Sequence, residues 1–172
     1  GQEFFQLINK AYADLHDFVA LSDDEIGFLM KQFFTYIDRR YIKVVENQSG
    51  AMVAVGVAME SFSVALQSAR GKLWPLGWWR MLQAMKGNDV LDLYLVAVRP
   101  DLQGGGLNAI VMHEMHKVAV KRGLKWAETN GELETNTKIL SMWKGYDYRT
   151  HKRRRIYSKR LHDRPGRQEA AG

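Results

Sequence analysis

The sequence contains no cysteine among its 172 residues. This absence excludes a disulfide scaffold and any metal site with thiolate ligands, and it suits a reducing compartment, so cytoplasm is the expected location. No run of about 18 apolar residues occurs, and the first residues lack the basic and then apolar pattern of a signal peptide. We therefore expect no membrane span.

Acidic residues are missing from one segment that carries much of the positive charge. The net charge is +6, and the rest of the chain is close to neutral without this segment. This basic segment is either the solvated face of a strand or a surface that contacts a cofactor phosphate, an acidic acceptor or nucleic acid. Nucleic acid is the least expected partner, because only Tyr157 offers a ring for base stacking. The segment, called the basic stripe below, contains Arg149, Lys152, Arg153, Arg154, Arg155, Lys159 and Arg160.

The composition, 46% hydrophobic and 11% aromatic, predicts a packed core. The length favours one domain, which we place at residues 1–161, followed by a polar, disordered tail at 162–172. Apolar spacing, capping residues and turn residues predict the elements. In chain order they are helices at Phe4–Phe18 and from a Ser22 cap, strands at Tyr41–Glu46 and Met52–Met59 joined by a turn at Asn47–Gly50, helices at Phe62–Ala69 and through Met85, a strand at Val90–Val98, a helix at Leu107–Lys121, a strand at Leu124–Thr129, a helix at Thr135–Trp143, and one or two terminal strands at Tyr148–Leu161.

Glycines stand directly between the predicted central strand and a long helix. The strand ends before Pro100, Gly104–Gly106 follow, and the helix begins at Leu107. Glycines let backbone N–H groups converge on a ligand, and a helix N-terminus adds unsatisfied donors, so this segment predicts an anion site. The Gly-Lys-Ser/Thr ending of a nucleoside-triphosphate loop and the Gly-x-Gly-x-x-Gly pattern of a dinucleotide fold are both absent.

The loop resembles that of the GNAT superfamily of acyl-CoA-dependent N-acetyltransferases. Gln103, Gly106 and Asn108 follow its pattern Gln/Arg-x-x-Gly-x-Gly/Ala, behind a strand that ends in Val-x-Val-x-Pro. The resemblance implies an α/β (α+β) fold with a central mixed, mostly antiparallel sheet flanked by helices. It also implies a helical insertion at about 61–89, between the family's third and fourth strands. The family's first strand is not visible, so we expect it from a longer protein.

The resemblance further implies that acetyl-CoA or another acyl-CoA is the cofactor. The central strand of the family leaves its neighbour and holds the pantetheine arm, a role that falls on Val96, Ala97 and Val98. Asn136 is a further cofactor contact or a surface helix cap. The cofactor pyrophosphate is expected on the loop amides of Gln103, Gly104, Gly105, Gly106, Leu107 and Asn108.

Amide formation needs a base for the amine and a proton for the leaving thiolate. Asp92 lies six residues before Val98, where histone-type members carry a glutamate, and strand alternation predicts that Asp92, Tyr94, Val96 and Val98 share one face. A salt-bridged Asp at a wet rim is the alternative. The family's acid, a tyrosine, falls on Trp143, so we assign the proton donor to Tyr146, with Tyr148 or water as substitutes. Lesser base candidates are Glu60, Glu128 and Glu132.

Tyr94, Trp78 and Trp79 are the predicted substrate-binding residues. The two tryptophans belong to the insertion, which forms either a wall of the acceptor pocket or a surface that packs on a missing N-terminal region or in a homodimer. His113 and His116 lack the spacing and the third ligand of a zinc helix, so we expect no metal. The sequence favours transfer of an acetyl or acyl group to the amine of a small molecule, with an inactive module that binds acyl-CoA or a polyanion as the alternative.

Overall fold

Two short helices precede a four-stranded sheet. The structure, a computed structural model, describes residues 1–15, 18–33, 37–70, 76–77, 79, 82–83 and 87–157. The chain divides into two units, Gly1–Asn130 and Gly131–Gly172. The elements are α1 (Gln2–Tyr12), α2 (Asp23–Phe33), β1 (Ile42–Glu46), β2 (Met52–Glu60), α3 (Ser63–Ser68), β3 (Val90–Val98), α4 (Leu107–Lys121), β4 (Trp126–Thr129) and α5 (Thr137–Met142).

The four strands form one sheet in the order β1-β2-β3-β4. The β1–β2 and β2–β3 pairs are antiparallel and the β3–β4 pair is parallel. This confirms the predicted mixed, mostly antiparallel sheet. The insertion predicted at 61–89 begins with α3 directly after β2, and its second helix lies largely outside the described residues.

Each face of the sheet has its own apolar core. The first face packs on α1 and α2, and the second face packs on α4, so the sheet is the middle layer of this unit. Burial on both faces explains why β2 is apolar along most of its length. Side chains on the first face include Val55, Val57, Leu95 and Ala97, and those on the second include Ala54, Ala58, Leu91, Val96 and Val98, which pack with Val111 and Met115 of α4.

Local sequence signals set the turns and helix starts. The Glu25 carboxylate accepts a hydrogen bond from the Ser22 backbone N–H at 2.8 Å, and the Glu25 N–H donates to Ser22 Oγ at 3.4 Å, which is the predicted capping box. In the hairpin turn, Asn47 Oδ1 accepts from the Ala51 N–H at 2.9 Å. Gly50 lies there at a φ of 79°, which a residue with a side chain rarely adopts.

The first helix ends earlier than the apolar spacing predicted. It stops at Tyr12 rather than at Phe18. The Asn9 side chain exchanges two hydrogen bonds of 2.9 Å with the backbone of Leu21, which fixes the returning chain beside α1. The chain must turn back between these two residues, so the helix cannot continue.

The predicted terminal strands are wrong over the described residues. Residues 148–157 form no strand, and residues 158–161 lie outside the described part, as does the predicted tail. A strand is stabilised mainly by packing one of its faces. The large apolar and aromatic residues of this segment, Tyr148, Ile156 and Tyr157, are 57%, 100% and 83% exposed, so no face is packed.

Across the described residues, no helix combines the length and the hydropathy that crossing a bilayer requires.

Gly56 on β2 allows α4 to approach the sheet closely. A Cβ atom at this position would lie 2.4 Å from Val111 Cγ1 and 3.1 Å from Met115 Cε. We expect Gly56→Ala to lower the free energy of unfolding by about 1–3 kcal/mol, because a β-branched neighbour has little room to move.

Gly27 in α2 is the matched control, since it is exposed and no atom lies within 4 Å of its Cβ position. Gly27→Ala should raise the free energy of unfolding by about 0.5–1 kcal/mol through helix propensity. Urea unfolding of both variants measures the difference. Equal stabilities would contradict the close packing of α4 on β2.

Candidate active site

The central strand β3 contains one residue more than its partner. Val57 pairs with Leu95 and Ala58 pairs with Leu93, so Tyr94 has no partner on β2 and forms a β-bulge. On the other side, β3 pairs with β4 only from Val90 to Leu93. A bulge bends its strand and increases the local twist. Next to this bulge, the parallel pairing ends at Leu93 and Thr129, the last residue of β4.

Beyond Leu93, side chains rather than a strand occupy the edge of β3 that faces away from β2. The carbonyl oxygen of Tyr94 accepts from Asn130 Nδ2 at 3.3 Å, that of Val96 accepts from the Tyr12 hydroxyl at 3.0 Å, and that of Val98 accepts from Gln103 Nε2 at 3.3 Å. We call this the open edge of β3. Its backbone groups are held by donors that a ligand can replace.

Only two residues of the predicted pantetheine trio face the open edge. The N–H and C=O of one strand residue point to the same edge, and successive residues alternate between edges. Arg99 donates its N–H to Val53 O of β2 at 2.9 Å, so Ala97 and Leu95, at alternate positions, also face β2. Val96 and Val98 direct their backbone groups to the open edge, where side chains bind the two carbonyl oxygens, whereas the backbone groups of Ala97 belong to the β2–β3 ladder.

The predicted common face of Asp92, Tyr94, Val96 and Val98 is wrong. Val96 and Val98 pack in the core beneath α4, together with Leu91 and Leu93. Asp92 and Tyr94 alternate with that pair and lie on the opposite face, the one that α1 and α2 cover. The reason is the bulge, because one extra residue reverses the alternation of every side chain beyond it.

Asp92 lies in a partly dehydrated and acidic setting. Burial raises the pKa of its carboxyl group, and the charge of Glu128, its register partner on β4, raises it further. The Ser61 side chain acts in the opposite direction. Burial and the Asp92 charge also raise the pKa of the Tyr94 phenol, which is 43% exposed. A carboxyl group with a raised pKa is suited to taking a proton.

The glycine loop has the backbone geometry of an anion cradle. Gly104 and Gly106 have φ values of 85° and 83°, and Gly106 is the N-cap of α4 without any side-chain cap. A Cβ atom at Gly105 would lie 3.2 Å from the Leu102 carbonyl oxygen. Each of the three glycines is therefore required by conformation or by space.

Four of the six predicted loop amides are free. The N–H groups of Gln103 and Gly105 donate to Pro100 O and Leu102 O at 3.3 and 3.2 Å. Within the described residues, those of Gly104, Gly106, Leu107 and Asn108 have no acceptor, and they belong to the segment that begins α4, where the positive end of the helix dipole lies. The half-buried Asn108 side chain belongs to the first turn of α4.

In the second unit, the predicted cofactor contact is a helix cap. Asn136 Oδ1 accepts from the Ile139 N–H at 3.3 Å and begins α5. Trp143 donates its indole N–H to both oxygens of Glu132, at 3.0 and 2.9 Å. The Tyr146 ring, 47% exposed, lies 5.9 Å from the Trp143 ring. The cofactor role of Asn136 and the acid role of Tyr146 stay predictions.

The lesser base candidate Glu60 belongs to a structural cluster beneath α4. Its carboxylate accepts from the Tyr41 hydroxyl at 2.6 Å and pairs with the Arg122 guanidinium at 2.9 Å. Tyr41 is 1% exposed, and burial raises the pKa of its phenol. Glu60 is thus engaged on the face opposite to Asp92.

The remaining candidates lie on exposed surface or outside the described residues. Trp79 is 52% exposed and Trp78 is not described, so the acceptor wall and the packing surface both stay predictions. His113 and His116 are exposed, and within the described residues no group of three His, Asp or Glu could hold a metal ion. In the basic stripe, Arg153 lies 3.9 Å from Glu134.

Sequence reasoning missed Tyr12, which it assigned to the apolar face of the first helix. Its hydroxyl reaches Val96 across 84 positions of the sequence. A tyrosine at the end of a helical apolar stripe is the signal available, because a buried hydroxyl needs a polar partner. The partner itself cannot be read from the chain.

Comparison with curated proteins finds two remote relatives, and no family model matches the sequence. A bacterial ceramide synthase of Caulobacter vibrioides is 27% identical over an alignment 169 residues long, which covers 93% of this chain and 43% of that protein. Protein YghO of Escherichia coli K12 is 24% identical over an alignment 162 residues long, which covers 91% of this chain and 41% of that protein. The chain thus spans less than half of the length of these relatives.

Solved structures resemble the chain more completely. An aminoglycoside 6′-N-acetyltransferase from Acinetobacter haemolyticus has a TM-score of 0.57 and 14% identity, over 93% of this chain and 92% of that one. Naa20 of Chaetomium thermophilum, solved with a bisubstrate analogue, has a TM-score of 0.56 and 15% identity, over 84% and 66%. The aminoglycoside enzyme AAC(6′)-Iy, solved with a CoA-linked bisubstrate analogue, gives 0.53 and 11%, over 93% and 91%. The chain has the GNAT fold.

Within this GNAT fold, the raised pKa of Asp92 predicts a pH-dependent loss of stability. The folded protein binds the Asp92 proton more tightly than the unfolded chain does. The resulting stability is present below the ordinary Asp pKa and is lost as pH rises through the folded-state pKa. Asp92→Asn, neutral at every pH, should therefore raise Tm more at about pH 7 than at about pH 4.

Asp89→Asn is the control, because this exposed carboxylate lies 3.6 Å from Lys125 Nζ and gains from its charge. It should not raise Tm at either pH. Thermal unfolding followed by circular dichroism measures both variants. A pH-independent difference for Asp92→Asn would refute the dehydrated setting of this carboxyl group.

Proposed function

We propose that this chain is an acyl-CoA-dependent N-acyltransferase that moves an acetyl or longer acyl group directly to an amine. The observation that carries the proposal is the open edge of β3, which leads without interruption into the glycine loop and the N-terminus of α4. An extended pantetheine arm needs strand-like partners, and a pyrophosphate needs converging N–H groups. These two features lie end to end on one segment, Tyr94–Asn108.

The residues fit an acyl-CoA as cofactor. Val96 and Val98 would pair with the pantetheine amides in place of Tyr12 and Gln103, and the free loop amides would bind the pyrophosphate. When bound, the acyl-CoA supplies an activated acyl group as a thioester. The absence of a cysteine nucleophile supports direct transfer to the amine.

Residues of the chain transfer the protons and stabilise the negative charge that develops during acyl transfer. Asp92 accepts the proton that the amine loses, because its raised pKa makes it a stronger base than an ordinary Asp. The Val96 N–H, at the open edge, donates to the oxygen on which negative charge develops. From the sequence, Tyr146 is the candidate for returning a proton to sulfur.

For the acceptor, we propose an amine carried on an apolar chain. The relative named as a ceramide synthase makes an amide of a long-chain amino alcohol, and its match covers 93% of this chain. Exposed apolar residues of the insertion support the same class of substrate. They include Val64, Leu66, Leu76, Trp79 and Leu82. Tyr94, Trp78 and Trp79 are the residues that we expect to contact this substrate.

One observation favours the alternative, an inactive module that binds acyl-CoA. Trp143 stands where the sequence pattern of the family places a tyrosine, and its indole N–H is engaged by Glu132. An indole is not a useful proton donor at neutral pH. Binding without turnover would support this alternative.

Gly106→Leu tests the cofactor site. We expect the substitution to weaken binding of CoA and acetyl-CoA by about tenfold or more, because the side chain enters the cradle and the residue resists a positive φ. Gly50→Leu is the matched control, since its φ of 79° is close to the 83° of Gly106 and it lies in the β1–β2 turn. Isothermal titration calorimetry measures both. Failure of the folded wild-type chain to bind either ligand would refute the proposed cofactor.

Turnover tests the activity and the acceptor class together. Acetyl-CoA and palmitoyl-CoA are offered with sphinganine, a long-chain amino alcohol, or with sisomicin, a polar polyamine. We expect amide formation with sphinganine, and a kcat lower by roughly 100-fold in Asp92→Ala with unchanged CoA affinity. Transfer to sisomicin alone would contradict the acceptor class, and CoA binding without any transfer would favour the module.

A further inference from the structure

Tyr12 places a phenol at the open edge of β3. It is the last residue of α1, and its hydroxyl donates to the Val96 carbonyl oxygen at 3.0 Å. Its ring packs edge-on against Phe18, with centroids 5.8 Å apart and an interplanar angle of 79°. The side chain is thus held from both ends, by a ring contact and by a hydrogen bond.

The Tyr12 hydroxyl lies close to a backbone group that the proposed reaction uses, the N–H of Val96. The N–H and C=O of Val96 face the same edge, so a phenol at the carbonyl oxygen is a close neighbour of the N–H assigned to the thioester oxygen. Asn130 and Gln103 hold the flanking carbonyl groups, and neither side chain can give up a proton. Of the three side chains that hold these carbonyl groups, that of Tyr12 alone carries an acidic hydroxyl.

A ligand at the open edge also changes the partner of Tyr12. A pantetheine amide that pairs with the Val96 carbonyl group takes the acceptor that the phenol now uses. The hydroxyl is then released as a donor beside the thioester. Because Tyr12 comes from α1, it reaches the open edge from the same face of the sheet as Asp92.

We infer that Tyr12 gives its phenolic proton to the sulfur of the leaving thiol. The inference rests on the proposed function and assigns to α1 the acid role that the sequence placed at Tyr146. As the amide C–N bond forms, the C–S bond breaks with its electron pair on sulfur, and Tyr12 protonates that sulfur. Asp92 takes the proton lost by the amine and returns it through water to the Tyr12 phenolate, so protons balance.

The surroundings keep the phenol protonated until it is needed. Burial raises the pKa of Tyr12 above its ordinary value. The acid form therefore dominates at neutral pH, and the loss of activity on the alkaline side should come as pH rises through the pKa of Tyr12.

The test compares Tyr12→Phe, Tyr146→Phe and Tyr41→Phe in the transfer of an acyl group from acetyl-CoA or palmitoyl-CoA to sphinganine. Tyr12→Phe should lower kcat by roughly 100-fold and leave the affinity for CoA, measured by calorimetry, unchanged or higher. Tyr41→Phe is the structural control, because it removes another hydrogen-bonded phenol hydroxyl, one that donates to Glu60. Tyr41→Phe should lower the free energy of unfolding but change kcat no more than a few-fold.

A fluorotyrosine at position 12 separates chemistry from structure. It keeps the hydroxyl but lowers its pKa. The pH at which kcat falls on the alkaline side should therefore be lower by as much as the pKa of the phenol is lowered. Ultraviolet titration of the phenol in the free protein gives that amount without any turnover.

The outcomes are distinct. Wild-type turnover that survives Tyr12→Phe, or falls in Tyr146→Phe alone, overturns the assignment and leaves the proposed function intact. An unshifted alkaline limb with fluorotyrosine also overturns it. A wild-type chain that binds CoA but transfers nothing to sphinganine or sisomicin refutes both.

Discussion

One extra residue in β3, Tyr94, is the constraint on which the site depends. Next to it, the parallel partner β4 ends at Thr129, opposite Leu93, so the backbone groups of Val96 and Val98 lie beyond the β3–β4 ladder. Side chains within the described residues satisfy the carbonyl groups of this part of β3. The bulge also reverses the alternation, so Asp92 lies on the face of α1 while Val96 packs beneath α4.

The two faces of the sheet use similar chemical groups for different purposes. Beneath α4, a buried phenol, a carboxylate and a guanidinium, those of Tyr41, Glu60 and Arg122, are joined by hydrogen bonds and an ion pair. On the face of α1, burial raises the pKa of Asp92 and of Tyr94, and the negative charges of Glu128 and Asp92 raise these two values further. A closed cluster stabilises the fold, whereas an unbalanced one favours proton uptake. This contrast is why the candidate site is placed on the side of α1.

Where local chemistry decides, sequence-based prediction was accurate. The bounds of β3 and α4 match because Pro100 stops a strand and Gly123, at a φ of 74°, ends a helix. The glycine loop was predicted for the same reason. The terminal strands were wrong, because alternation in a charged segment does not show whether any face is packed.

The sequence by itself determined the order of elements, the mixed sheet, the GNAT resemblance and the cradle of glycines before α4. Only the tertiary structure decided which backbone groups are free, which face Asp92 occupies, and that Tyr12 contacts Val96. The reason is physical: capping, turns and periodicity act over a few residues, and their signals stay local. A bulge depends on register with a second strand, and the hydrogen bond of Tyr12 joins groups 84 positions apart.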